Sequence, residues 1–267
     1  MARLDAELVR RDLARSRGEA RELVEAGLVT LDGRVARKPA TPTHESSVVE
    51  VSDERPRWVG RAAHKLDHAF TTWAPLGLTA DGRSCLDVGA STGGFTQVLL
   101  ARGANHVVAL DVGHDQLVAQ LRADPRVTEV SGTSIRDVGP DDLGRFDVVV
   151  GDLSFISLTL VLEPIARLSL PGADVVLLVK PQFEVGRGRL SKNGIVVDPR
   201  QRRRALTDVV AAAEAAGLGV HELIRSPIHG GEGNTEYLLW ARSGVSGTMD
   251  STAVAAAVTE LSKEGRA

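Results

Sequence analysis

Lys65, Asp152, Lys180 and Glu236 are the residues whose types and placement most suggest chemistry in this chain. Asp152 follows the apolar run FDVVVG and Lys180 follows ADVVLLV. Glu236 opens EYLLW after the glycine-rich stretch HGGEGNT, and Lys65 lies upstream in RAAHKLDHAF. Lysines flanked by carboxylates tune one another's protonation. A lysine held in this way can take or relay a proton from a hydroxyl group. A lysine titrating at about 10.4 is a poor base at neutral pH. Such a group is therefore either shifted toward its neutral form, or it orients the hydroxyl while solvent takes the proton; the residues leave both routes open. Taken singly, each side chain has a plainer reading: a surface lysine at 65, a helix cap at 152, an ion pair joining 180 to 236 or to 152.

The elements that would have to bring them together begin at residue 84. Apolar runs at 84–88, 106–111, 127–130, 146–151 and 173–179 read as strands, and 93–102, 115–122, 157–169 and 198–216 as helices. Near-continuous apolar strands suit a parallel sheet covered on both faces. Asp198 and Pro199 suit the start of the last helix, and Gly217 its end. Strands at 219–225 and 236–241 follow with no helix between them, which implies an antiparallel final strand. Open sheets of this kind bind ligands beyond the carboxyl ends of their strands. The first strand-to-helix crossing reads LDVGASTGGF, so Asp87, Gly89, Ala90, Ser91, Thr92, Gly93, Gly94 and Phe95 are candidate cofactor-binding residues. Gly89 would let backbone approach a ligand, while Gly93 and Gly94 would keep the helix entry uncrowded. Asp111 ends the next strand, where a carboxylate can hold ribose hydroxyls. The spacing G-x-x-x-G-G is not the G-x-G-x-x-G of dinucleotide sites, and no P-loop lysine is present. An acid at Asp87 suits a cation, which favours S-adenosylmethionine, with its amino and sulfonium groups, over the pyrophosphate of NAD.

The formal net charge of -3 over 267 residues carries no global nucleic-acid signature, so any basic surface is local. The lone Cys85 rules out internal disulfides and a cysteine-based zinc cluster and fits a reducing compartment. No metal site is expected. MARLDAELVRR lacks the apolar core of a signal peptide, and no stretch reaches the length of a membrane helix. These readings point to a cytoplasmic protein without membrane contact. The first 55 residues read as a small unit. Its parts are a helix over 2–14, a second helix opened by a Ser16/Glu19 capping box and stopped at Gly27, a hairpin turning at Asp32-Gly33, and a strand near 48–51. Arg3, Arg10, Arg15, Arg17, Arg21, Arg34 and Lys38 lie on it. They form either a mixed solvated surface or a one-sided patch for RNA phosphates. Arg187 and Arg189, in GRGRLSKNG beside Lys180, and the run Arg200 and Arg202–Arg204 offer the same choice. Phe155 could stack on a base or cover the pocket. Trp58 reads as a packing anchor between domains.

The segments RLDAELVRR, LARSRGEARELVEAGLVTLDG and RVARKPA resemble the S4 RNA-binding domain. Lys65, Asp152, Lys180 and Glu236 resemble the Lys-Asp-Lys-Glu tetrad of ribose 2′-O-methyltransferases of the FtsJ/RrmJ group. The chain to about residue 242 resembles the TlyA family, also labelled hemolysin A, through RAAHKLDHAF, DVGASTGGF, ALDVG, GDLSFIS, LLVKPQFEVGR and HGGEGNTEYLLW. The resemblance implies an α/β fold, a Rossmann-like class I methyltransferase sheet with a small N-terminal α+β S4-like domain. The corresponding divisions are 1–55, a linker at 56–62, the methyltransferase domain at 63–242 and a tail at 243–267 that could form a short helix. It implies methyl transfer from S-adenosylmethionine to a cytidine 2′-hydroxyl of 16S or 23S ribosomal RNA, with ribosomal subunits as partners and the chain acting as a monomer. Lys180 would lie nearest the 2′-oxygen, Asp152 and Glu236 would hold it, and Lys65 would place ribose or phosphate. The chain departs from the family's R-x-W-V linker at Pro56. Thr133 stands where related methyltransferases often carry an acid that meets adenine, with Asp137 or backbone as substitutes. A non-catalytic RNA-binding or assembly factor is disfavoured by the intact tetrad, and a cytolysin by the absence of an amphipathic membrane segment.

Overall fold

The computed structural model describes residues 2–14, 16–25, 27–52 and 58–263. The chain divides into two compact units, Met1–Arg57 and Trp58–Ala267. In the first, helices Leu4–Arg10 and Arg17–Glu25 bury Leu4, Leu8, Ala20, Leu23 and Val24 against Val29. Strand Val29–Leu31 pairs antiparallel with both Arg34–Val35 and Val49–Val51. Asp32 and Gly33 both have positive φ, 50° and 76°, the type I′ geometry that matches strand twist. The expected capping bond is present, Glu19 N donating to Ser16 Oγ at 3.2 Å. The first helix is shorter than the expected 2–14. Ala2–Arg3 pairs instead with Pro42–Thr43, and Asp12 turns the chain out of the helix with φ 55°.

The second unit holds a seven-stranded sheet. Its strands are β1 Ser84–Val88, β2 His106–Leu110, β3 Val127–Val130, β4 Phe146–Gly151, β5 Ser169–Val179, β6 Leu218–Arg225 and β7 Tyr237–Ser243. Their order is β6-β7-β5-β4-β1-β2-β3. β7 is antiparallel to both neighbours, and the pairings from β5 through β3 are parallel. Register decides what this does for the rim. Val88 pairs with Leu110 and with Gly151, so β1, β2 and β4 end together. On β5, Leu177 pairs with Gly151 and Val179 with Tyr237. A reversed strand starts where its parallel neighbours stop, so Glu236, which precedes β7, reaches the same rim as Asp152 and Lys180.

Alternating side chains load both faces of the sheet. Leu86, Val149, Val175 and Leu177 pack with Leu162, Ile165, Leu206 and Val209 on one side. Cys85, Val107, Val148 and Val176 pack with Phe70, Trp73, Phe95 and Leu99 on the other. Trp58 is buried in this second cluster. The helix expected over 157–169 is split into a 3-10 turn, Leu158–Leu160, and an α-helix, Leu162–Leu168. Proline is tolerated only in a first turn, so Pro164 makes the α-helix begin afresh. The expected helix at 115–122 keeps only Ala119–Arg122, because Asp115 has φ 53° and Val118 is extended. Asp198 caps helix Pro199–Ala215 by accepting from Arg200 N at 2.9 Å. Residues Ser251–Lys263 form a C-terminal helix. Among the described residues, no helix is long and apolar enough to cross a membrane.

Gly93 has φ 98°, and a Cβ there would overlap Leu121 Cδ1 and stand 2.7 Å from Leu117 Cδ1. Gly93→Ala is expected to lower unfolding stability by about 1–3 kcal/mol through strain and overpacking, read from urea denaturation; an unchanged midpoint would contradict this packing role.

Candidate functional site

The four candidate residues form one chain of alternating charge. Lys65 projects from helix Ala63–Trp73 and is buried. Its Nζ donates to Glu236 Oε2 at 2.8 Å and to Asp152 Oδ2 at 3.3 Å. Asp152 Oδ1 lies 2.6 Å from Lys180 Nζ, an ion pair rather than an aligned hydrogen bond. Lys180 Nζ directs its hydrogen bond to Ser154 Oγ at 2.8 Å, and Gln182 Nε2 donates to Glu236 Oε1 at 3.2 Å. Glu236 therefore holds Lys65 and not, as expected, Lys180, which among the described residues pairs with Asp152 alone; each charge meets an opposite charge, the condition for keeping ions away from water.

Two cavities meet at this chain. The first, about 570 Å³, is walled by Gly89, Ser91, Asp111, Thr133, Ile135 and Asp152, among others. The second, about 660 Å³, is bordered by Lys180, Gln182, Phe183, Arg187, Asn234 and Glu236. Ser154 and Phe155 line both. Phe155 is 91% exposed with φ 63°, and its ring lies 5.2 Å from that of Phe183 in a tilted pair. Asp111 accepts from Ser91 N at 2.8 Å and Gly113 N at 2.7 Å, which fixes the carboxylate at the cavity edge.

Of the LDVGASTGGF candidates, Gly89 and Ser91 border the first cavity, and Ala90 joins Ser91 and Asp111 around a small adjacent recess. Thr92 is exposed but outside the cavity wall. Gly93, Gly94 and Phe95 lie behind the loop as packing residues: a Cβ on Gly94 would stand 3.2 Å from Ala63 N, and Phe95 is in the core. Asp87 is fully buried beneath the rim and does not line the cavity. Thr133 does line it, together with Ser134, whereas the suggested substitute Asp137 is exposed elsewhere. Ser154, Gln182, Phe183, Asn234 and Gln116 line the cavities without being singled out by the sequence. The first three follow Asp152 or Lys180 within three residues, which is a legible signal. Asn234 and Gln116 gain their places only through loop folding.

The basic candidates separate by pairing. Arg3 makes two hydrogen bonds to Asp5, which also faces Arg21 at 3.5 Å. Arg10 and Arg11 both bond Glu7. These hydrogen bonds, foremost from Arg3 and from Arg10, hold the Asp5 and Glu7 carboxyls down at about 2. Arg17, Arg34 and Lys38 are exposed and make no ion pair among the described residues. Arg15 lies outside the described residues. Arg187 and Arg189 are exposed in the loop beside the second cavity. In the 200–204 run, Arg202 is neither surface nor a phosphate contact, being buried at 4% exposure.

Residues 58–243 match the FtsJ-like methyltransferase family, and residues 2–49 match the S4 domain. The chain is 47% identical to the 16S/23S rRNA (cytidine-2′-O)-methyltransferase TlyA of Mycobacterium tuberculosis, over 99% of this chain and 98% of that one. The chain belongs to the TlyA family. Another relative, the Hemolysin A of Brachyspira hyodysenteriae, is 37% identical over 88% of this chain and 98% of its own length. A solved structure from Streptococcus thermophilus, provisionally described as a hemolysin, is 36% identical with a TM-score of 0.72, covering 98% of this chain and 96% of that one. The TlyA-family sheet is therefore a class I methyltransferase fold, preceded by an S4 domain.

In this TlyA-family chain Asp87 supports the rim from below. Thr96 Oγ1 donates to its Oδ2 at 2.7 Å, while Oδ1 is buried without a hydrogen-bond partner. Burial pushes the carboxyl from 3.8 up to about 7, against the pull of Thr96 and with added repulsion from Asp152 and Asp111. Between these values the unfolded chain has released the proton and the folded chain has kept it. This group therefore makes stability fall as pH rises through that window, and adds no slope above it. Asp87→Asn is expected to lessen that fall, gaining stability relative to the parent between about pH 4 and pH 7, as read from urea unfolding across pH. Parallel profiles for the two proteins would show that Asp87 does not titrate this way.

Proposed function

We propose that this chain transfers a methyl group from S-adenosylmethionine to the 2′-hydroxyl of a cytidine in ribosomal RNA. The observation that carries the reading is the tetrad standing where two cavities meet, one suited to the donor and one to the acceptor. The described lining of the first cavity offers the carboxylates Asp111 and Asp152 and no Lys, Arg or His. That field suits a cationic ligand and repels a pyrophosphate, and Leu110, Ile135 and Ile156 supply apolar walls for an adenine ring. Bound there, S-adenosylmethionine supplies an electrophilic methyl group on a sulfonium centre. Asp111 holds the ribose hydroxyls of the donor, with Gly89 and Ser91 lending backbone close to it, while Asp87 keeps the first strand end in place.

On the acceptor side, Lys180 Nζ orients the 2′-hydroxyl and takes its proton while handing one to Asp152 Oδ1, 2.6 Å away. Glu236 and Asp152 hold Lys65, which steadies the ribose. By holding the 2′-hydroxyl beside the donor cavity, Lys180 and Lys65 would supply much of the rate through proximity, the methyl–sulfonium bond breaking as the methyl–oxygen bond forms. Phe155, exposed at the junction, stacks on the target base. The first unit grips RNA: Arg17, Arg34 and Lys38 are free for phosphates, and Arg3, Arg10 and Arg21 exchange carboxylates for phosphates, while Arg187 and Arg189 of the second unit meet RNA beside the acceptor cavity. One chain carries the whole set of residues, so a monomer suffices. The partner is a ribosomal subunit, 16S or 23S RNA or both, and the setting is the cytoplasm.

The test is transfer from labelled S-adenosylmethionine to ribosomal subunits and to naked RNA, with mapping of ribose-protected positions. Lys180→Met is expected to reduce transfer at least about 100-fold while donor affinity measured by calorimetry stays unchanged; full activity in that variant would overturn the assignment. Phe155→Ala is expected to raise the KM for RNA by about tenfold or more, the worth of one stacked base; an unchanged KM would overturn the stacking role.

A further inference from the structure

Arg202 lies on helix Pro199–Ala215 and is 4% exposed. Its Nη1 donates to the carbonyls of Val196 and Val197 at 2.9 and 3.1 Å, and its Nη2 to that of Ser262 at 3.0 Å. Ser262 lies in the last turn of helix Ser251–Lys263. Carbonyls there have no acceptor role left inside the helix, and a cation complements the negative end of the helix dipole. The neighbouring carbonyl, Leu261, accepts from Tyr237 Oη at 3.3 Å, and Tyr237 directly follows Glu236.

The strip held by Arg202 is held from its other side by Asn234, itself 3% exposed. Val196 N donates to Asn234 Oδ1 at 3.0 Å, Asn234 Nδ2 donates to the Gly194 carbonyl at 3.0 Å, and the Asn234 carbonyl accepts from Gly230 N at 2.9 Å. Gly194, Asn234 and Glu236 border the second cavity. An unbroken set of bonds thus runs from the carboxyl end of the C-terminal helix through Arg202 to residues 194–197. From there it passes through Asn234 to the loop that presents Glu236.

We infer that Arg202, docked on the C-terminal helix, is a positioning residue for the methyl acceptor, setting the 194–197 and 230–236 walls of the second cavity at the spacing the RNA ribose needs. It acts through Asn234 on the loop that presents Glu236 and makes no direct contact with a residue of the donor cavity. The inference rests on the acceptor reading of the second cavity given above. An uncharged side chain of similar length would remove the donor from all three carbonyls, two of them in buried bonds, and so loosen the 194–197 strip from the C-terminal helix.

The test compares Arg202→Met, Arg202→Lys and Asn234→Ala in the full chain. The readouts are amide hydrogen exchange at Val196 and Gly230, donor affinity by calorimetry with S-adenosylmethionine, and KM for the ribosomal RNA that the parent methylates. Arg202→Met is expected to speed exchange at both amides and to raise the RNA KM by about tenfold, with donor affinity unchanged. Arg202→Lys, retaining a charged donor, is expected to recover part of both effects. Unchanged exchange at the two amides, or donor affinity lost in step with KM, overturns the inference. If Arg202→Met fails to fold, Arg202→Lys, Asn234→Ala and the double variant carrying both decide it, since members of one network couple instead of adding; additive effects would overturn it. Exchange is read without RNA, so a parent chain that methylates no RNA refutes the proposed function, while exchange still decides whether Arg202 holds the wall.

Discussion

Four alternating charges removed from most of the water govern the upper rim of the sheet. Glu236, Lys65, Asp152 and Lys180 are joined at 2.8, 3.3 and 2.6 Å. Breaking such a set leaves an uncompensated ion whose burial costs several kcal/mol. The arrangement therefore holds only if a helix, the ends of β4 and β5, and the start of β7 arrive at one place together. The reversed strand makes this possible, because it presents its amino end beside the carboxyl ends of its neighbours. The glycine-rich loop at the end of β1 needs no charge of its own. Its glycines let the helix Gly94–Ala101 sit close to neighbouring elements while Asp111 keeps the loop backbone in place.

The two cavities differ in the way their proposed occupants differ. Carboxylates and apolar side chains line the first, with no cation among the described residues; the second sets Lys180 and Arg187 against Glu232 and Glu236, and the Phe155–Phe183 pair stands at the junction. Phe155 holds an apolar ring almost wholly in solvent on a left-handed backbone. A folded chain retains such strain where the surroundings impose it, and sites that clamp a ligand are where it concentrates. Glu184 supplies part of that imposition. It accepts from Ser157 Oγ and from Leu158 N, so the segment after Asp152 is tied to the segment after Lys180.

The first unit explains why its composition was a poor guide to its surface. Asp5 and Glu7 are buried and occupied by Arg3, Arg10, Arg11 and Arg21, so those acids do not cancel the outer cations. Arg17, Arg34 and Lys38 are left facing solvent. A count of charges treats all of these residues alike; pairing at short range separates them.

Much was determined by sequence alone. Apolar runs with interposed helices specified the alternating sheet, and the strand-end positions of Asp152, Lys180 and Glu236 marked the rim, because periodicity and strand ends are local properties of a chain. The type I′ turn at Asp32-Gly33, the Ser16 cap and the Asp198 cap were legible for the same reason. Tertiary structure decided what depends on contacts between distant segments. It placed Asp87, Gly93, Gly94 and Phe95 behind the cavity wall, brought Asn234 to the 194–197 strip, and buried Arg202 against the C-terminal helix. In sequence a lysine or arginine shows only its charge. Which partner it meets, and whether water reaches it, is set by the packing of elements far apart along the chain.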